Sequence, residues 1–146
     1  MTLPGAATVV RDVNGRVLAI RRGDLGTWDM PGGWCELGET ATGTAVREVH
    51  EETGLHVRPT RLIGVYSNPA WIVRYPNGDE VRPVGALFEC GVIGGRLRAD
   101  GVEALDVAFI DPDAPDTLGT SPLDASPLHA AFWEDARHPR PEPYLR

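Results

Sequence analysis

The sequence predicts an α/β fold: a mixed β-sheet sandwiched between α-helices. Three observations carry this. Near the N-terminus an Asn14-Gly15 pair separates two apolar runs, within "AATVVRDVNGRVLAIRR", and Asn-Gly in that setting is the strongest short hairpin signal. A helical stretch over residues 40–53 is followed by more strand-like runs, and a second helical stretch, "SPLHAAFWEDA", comes near the end. Strands on both sides of a central helix, with another helix closing the pattern, place helices against a mixed sheet.

The elements follow in order. The first strand is expected at Ala6–Arg11 and the second at Val17–Arg22. "GDLGTWDMPGGW" is dense in glycine and reads as a loop or a very short strand. The central helix runs from Thr40, a good N-cap, to Thr53, with Gly54 where a left-handed residue ends a helix. "RLIGVYS" at 61–67 and "AWIVRY" at 70–75 are strand-like, and Asn77-Gly78 marks a second hairpin. A long strand is expected over 81–93, with Pro83 putting its start at an edge or a bulge. "ALDVAFI" at 104–110 is a further strand, and the proline- and aspartate-rich stretch 111–124 is irregular. The closing helix spans 126–136, with Ser126 as cap and Pro127 at its first position. One domain is expected over 1–137, with 138–146 a mobile C-terminal tail.

Composition bounds the function. The formal net charge of −7 disfavours an extended nucleic acid, whose backbone calls for a basic surface. A small phosphate ester remains open if a metal ion or local arginines offset the acid. Two cysteines are too few for a disulfide framework and read as buried or half-buried thiols. No charged-then-apolar signal segment and no membrane-length apolar run is seen, so a cytoplasmic location and no membrane contact are expected.

The central helix holds the main puzzle. Glu48, Glu51 and Glu52 fall within about a third of its circumference, and like charges at that spacing weaken a helix. Thr42, Ala45, Val46, Val49 and Thr53 form the stripe expected to pack on the sheet, leaving a separate acid face. Converging carboxylates on a rigid element suit a hard divalent cation, Mg²⁺ or Mn²⁺, which would offset the repulsion.

The surrounding spacing is specific. Gly33, five residues, Glu39, seven residues, then Arg47-Glu48-Val49-His50-Glu51-Glu52-Thr53-Gly54-Leu55 resembles the Nudix box at every fixed position. "TWDMPGGW" resembles the approach to that box, and the N-terminal hairpin sits where such proteins have one. The resemblance implies the fold stated above and a metal-dependent hydrolase that cleaves a nucleoside diphosphate linked to another moiety, by attack of water on phosphorus. Nucleoside triphosphates (including oxidised ones) and ADP-ribose head the candidate substrates. "GVYSNP" followed by "YPNGD" resembles sequences of the ADP-ribose-type or MutT-like group, without fixing the substrate.

On this basis Glu48 and Glu52, one turn apart, are the expected direct metal ligands. Glu51 is a third, direct or through water, and the Gly33 carbonyl a further one. Glu39 and Arg47 are expected to pair and hold the loop against the helix, outside the ligand set. The general base is left open among Glu103, Asp106 and Glu51, in that order. Arg21 or Arg22 would reach a phosphate. Trp28, Trp34 and Trp71 are candidates for stacking on a base, with core packing the alternative for each. Residues 66–83 read as an arm that covers the site. Two rival functions stay in view: a non-catalytic nucleotide-sensing module, which usually lacks the box carboxylates present here, and removal of a 5′ pyrophosphate from RNA, which the net charge disfavours. A homodimer is an option.

Overall fold

The computed structural model describes residues 1–24, 26–114 and 126–146. Its strands are β1 (Thr2–Arg11), β2 (Val17–Arg22), β3 (Trp28–Asp29), β4 (Gly32–Trp34), β5 (Leu55–Tyr66), β6 (Val73–Arg74), β7 (Glu80–Gly95), β8 (Ala104–Ile110) and β9 (Tyr144–Leu145); its helices are α1 (Ala41–Thr53) and α2 (Pro127–Arg137). The main sheet runs β3-β2-β1-β7-β5-β9, with β4 also on β1 and β8 on β2. β1 and β7 are parallel, β5 and β7 antiparallel, so the sheet is mixed.

Strand alternation divides the core into two layers. Ala6 and Val10 of β1, Leu18 of β2 and Phe88 and Cys90 of β7 pack with Ala45 and Val49 of α1. The residues between them, Ala7, Val9, Val17, Ala19 and Leu87, pack with Leu128, Phe132 and Trp133 of α2. The sheet therefore lies between the two helices, as the sequence predicts.

Local signals placed the helix ends. Thr40 Oγ1 accepts the Gly43 N–H at 3.0 Å, and Gly54, at φ +76°, donates its N–H to His50 O. Ser126 caps α2 with Pro127 in the first turn. β2 and β8 have the predicted bounds. β5 is longer than expected and begins at Leu55, directly after the Gly54 cap. Pro83 sits in a central strand, but its position is locally an edge: β6 pairs β7 at Glu80 and Val81, and β5 pairs it from Gly85. Only Val73–Arg74 of the 70–75 stretch is strand. Most of 111–124 lies outside the described residues.

The 138–146 segment, expected as a C-terminal tail, packs against the domain. β9 pairs in parallel with β5, and buried Tyr144 donates its hydroxyl to Asp135 of α2 at 2.6 Å. Arg146 bonds the same carboxylate at 3.0 Å. Cys35 and Cys90 are free thiols, half-buried and buried. No described helix is long and apolar enough to cross a membrane.

The sheet also opens the site. β1 and β2 share one register pair, Arg11↔Val17, and then diverge. β2 continues along β8, while β1 continues between β4 and β7. A cleft of about 310 Å³ fills the gap, with Arg22 and Glu103 on one wall and Trp34, Glu48 and Glu52 on the other.

Candidate active site

Each cleft carboxylate has a local reason for its position. Helix α1 carries Glu48, Glu51 and Glu52, but it is rotated from the predicted orientation. Thr44, Ala45, Glu48, Val49, Glu52 and Thr53 are buried, whereas Thr42 is exposed and Val46 half-buried. The acid face is therefore not separate from the packed face; two of its glutamates point inward. Glu103 arrives from the opposite wall. Asp100 Oδ1 accepts the N–H groups of Val102 and Ala104, curling the turn before β8, and Gly23 N–H clamps the Glu103 carbonyl at 2.9 Å.

The result is convergence. One carboxylate oxygen each from Glu48, Glu51 and Glu103 lies within 4.8 Å of the others. Glu52 lies deeper and accepts the Gly32 N–H at 3.1 Å. Burial, opposed by Arg47 and reinforced by Glu51 and Glu103, pushes the Glu48 carboxyl up to about 7. Burial and then the charge of Glu48 push Glu52 well above the ordinary carboxylate range. An all-oxygen donor set that is crowded and partly desolvated, with more carboxylates than neighbouring guanidinium groups, fits a hard divalent cation.

Glu39 and Arg47 form the expected pair. Arg47 reaches Glu39 through Nε at 2.7 Å and a terminal nitrogen at 2.9 Å, and it bonds the Trp34 carbonyl at 3.1 Å. This hydrogen bonding holds the Glu39 carboxyl down at about 2 and raises the already high value of Arg47. The same guanidinium bonds Glu48 at 2.9 Å and Glu51 at 3.2 Å, so one arginine ties the loop to two of the acids.

Gly33 takes a part other than the expected one. Bonded pairs alternate along an antiparallel ladder. Thr8 N–H donates to Pro31 O at 3.0 Å and Cys35 N–H to Pro4 O at 2.9 Å, so the bonded pair between them is Ala6 with Gly33. Its carbonyl accordingly serves the sheet, and the backbone that faces the acids belongs to Gly32. Gly33 matters for the side chain it lacks: a Cβ there would occupy the space of the Glu48 carboxylate.

The remaining candidates separate cleanly. Arg22 lines the cleft, bonded to Asp24 at 2.9 and 2.7 Å and 3.6 Å from Asp29. Burial works against its charge, but Asp24 and Asp29 outweigh that and hold it protonated. Arg21 and Asp106 face each other in the β2–β8 ladder and do not line the cleft. Trp34 does line it, and its indole N–H donates to Tyr75 of the arm at 3.2 Å. Trp28 is buried in the core on the α2 side, and Trp71 packs against that core. Two buried polar residues were not singled out by the sequence pattern: Asp29 lines the cleft, and His129 lines a small adjoining pocket of about 70 Å³ that shares Arg22, Asp29 and Trp34 with it. A charged residue inside the apolar "TWDMP" run is the one local signal for Asp29.

Comparison with known proteins agrees with this geometry. A MutT-like protein of Streptomyces ambofaciens is 42% identical over 108 residues, covering 74% of this chain and 62% of its own length. An ADP-ribose pyrophosphatase of Methanocaldococcus jannaschii is 39% identical over 99 residues, covering 66% of this chain and 54% of its own. The chain thus spans less than two thirds of either relative. A crystal structure of a UDP-X diphosphatase superposes with a TM-score of 0.73 at 18% identity, covering 100% of this chain and 68% of that one, which shows the shared fold. Residues 1–132 match the NUDIX domain, and the chain belongs to the Nudix family.

Proposed function

We propose that this chain is a Mg²⁺- or Mn²⁺-dependent pyrophosphohydrolase acting on a nucleoside diphosphate linked to a further group. The carrying observation is the meeting of Glu48, Glu51 and Glu103 within 4.8 Å across the cleft, with Glu52 and Arg22 beside them. A nucleoside triphosphate, including an oxidised one, or an ADP-ribose-like molecule supplies the phosphoanhydride. Glu48 and Glu52 hold the cation directly, with Glu51 as third ligand. Once bound, the cation neutralises phosphate charge and lowers the pKa of water. Arg22, which lines the cleft, orients the phosphates. Glu103 takes the proton of the attacking water as its oxygen bonds to phosphorus; the bridging P–O bond breaks and its electron pair leaves on the departing phosphate.

The test is a panel of nucleotide substrates with Mg²⁺ or Mn²⁺ and product identification by mass. Two phosphorylated fragments, one gaining the water oxygen, are expected, and chelator abolishes them. No product from any member with either metal contradicts the proposal. Within an active pair, Glu103→Gln is expected to lower kcat by about 10²-fold or more, the usual worth of a positioned base. The metal concentration for half-maximal rate stays unchanged. A parallel rise in that concentration would instead make Glu103 a ligand.

A further inference from the structure

A buried ionisable pair lines the small pocket that adjoins the cleft, outside the chemistry described above. His129, 8% exposed, stands in the first turn of α2 and places Nε2 2.8 Å from Asp29 Oδ2. Its Nδ1 is 3.0 Å from the Ser126 hydroxyl, which fixes the ring. Asp29, 6% exposed, accepts the Met30 N–H on its other oxygen at 2.7 Å. Arg22 stands 3.6 Å from the oxygen that His129 occupies, while its Nε and other amino group turn to Asp24. Each Asp29 oxygen thus has one close donor, and Arg22 sits beyond hydrogen-bond distance, as a looser ion pair at 3.6 Å.

We infer that His129 is a positioning residue: by bonding Asp29 it leaves the one Arg22 amino group that does not bond Asp24 for a substrate phosphate. A buried carboxylate that loses a donor must find another. The guanidinium beside it is the nearest strong one, and arginine pairs closely with carboxylates. Without the imidazole, Asp29 draws Arg22 inward and away from the phosphates. His129 can exert this control because its helix is fixed from the far end, where Tyr144 and Arg146 both bond Asp135. The inference rests on the reading of the cleft as a pyrophosphate-cleaving site.

The test uses the full chain and two readouts: KM and kcat on the best panel nucleotide, and the calorimetric Kd of pyrophosphate with excess Mg²⁺. His129→Ala is expected to raise both KM and Kd about tenfold, the worth of one charged hydrogen bond, with kcat nearly unchanged. His129→Gln, whose amide still donates to Asp29, stays near the parent. Asp29→Asn combined with His129→Ala recovers most of the loss, because a neutral amide does not hold the guanidinium. Melting curves confirm that each variant is folded. Unchanged KM and Kd in His129→Ala overturn the inference. So does a double variant as impaired as the single one, since that reduces His129 to holding α2 in place, and so does a parent that binds no pyrophosphate. Absent turnover on the whole panel alongside the expected Kd pattern counts against the hydrolase reading alone.

Discussion

Replacing Glu52 with glutamine is expected to abolish the proposed metal-dependent turnover and to make the metal-free protein more stable at neutral pH. The side chain is 5% exposed and accepts a hydrogen bond from Gly32 N–H, which an amide oxygen also accepts. The substitution thus keeps shape and partner and removes the charge. Cation binding to the reacting phosphate is worth several kcal/mol, so loss of a ligand lowers kcat/KM by about 10³-fold or more. The gain in stability has the opposite origin. Burial and neighbouring acids raise both Glu48 and Glu52 above their unfolded values. A raised carboxylate binds its proton more tightly in the folded state, so stability falls as pH rises from the unfolded value to the folded one. For Glu48 that window runs from 4.5 to about 7, and the loss across it is on the order of 3 kcal/mol. Mg²⁺ held by these carboxylates, as proposed, would offset the charge and flatten the decline. Glu52→Gln removes one carboxylate and makes the metal-free slope shallower. Thermal melts on both sides of the window, with and without Mg²⁺, read this directly. Retained turnover, or a metal-free variant less stable than the parent at neutral pH, contradicts the assignment.

What could be read from the sequence follows the range of the physics. Asn14-Gly15, Thr40, Gly54 and Ser126-Pro127 act on their own neighbours, and each turn or cap stands where the pattern places it. The box spacing likewise sets Glu39 against Arg47, because a short loop and two helical turns fix that distance. Which acids turn inward is a different matter. The rotation of α1 depends on how Ala45 and Val49 seat against β1, β2 and β7, and no helical wheel contains that information. The start of β5 at Leu55 was hidden by the alternating polar residues and Pro59 that precede 61. The contact between Asp29 and His129, and the docking of Tyr144 on Asp135, join distant parts of the chain. These contacts exist only once both layers have packed. The pocket that adjoins the cleft takes Asp29 and His129 from two such distant segments, which is why the acidic cluster is legible in the sequence and that pocket is not.

A single methyl group at Gly33 separates the role of the acidic centre from the stability of the fold. Gly33 is not among the glycines at positive φ, so alanine fits its backbone. The added Cβ meets the Glu48 carboxylate, the far end of a flexible side chain, and that group must swing aside. Gly33→Ala is therefore expected to melt within about 3 °C of the parent, less than a 1 kcal/mol loss would shift a domain of this size. Its kcat/KM falls about 10²-fold and its metal requirement rises, as for a displaced ligand. The neighbouring glycine supplies the control. A Cβ at Gly32 would lie 2.6 Å from Ala6 O and 2.9 Å from Ala7 Cα, backbone atoms that cannot turn away. Gly32→Ala should cost about 1–3 kcal/mol of stability, as overpacking does. Melting curves and metal titrations on the two variants thus separate displacement of a ligand from displacement of the sheet. If Gly33→Ala keeps the parent's metal dependence and rate, the position Glu48 holds beside Gly33 is not the one from which it binds the cation.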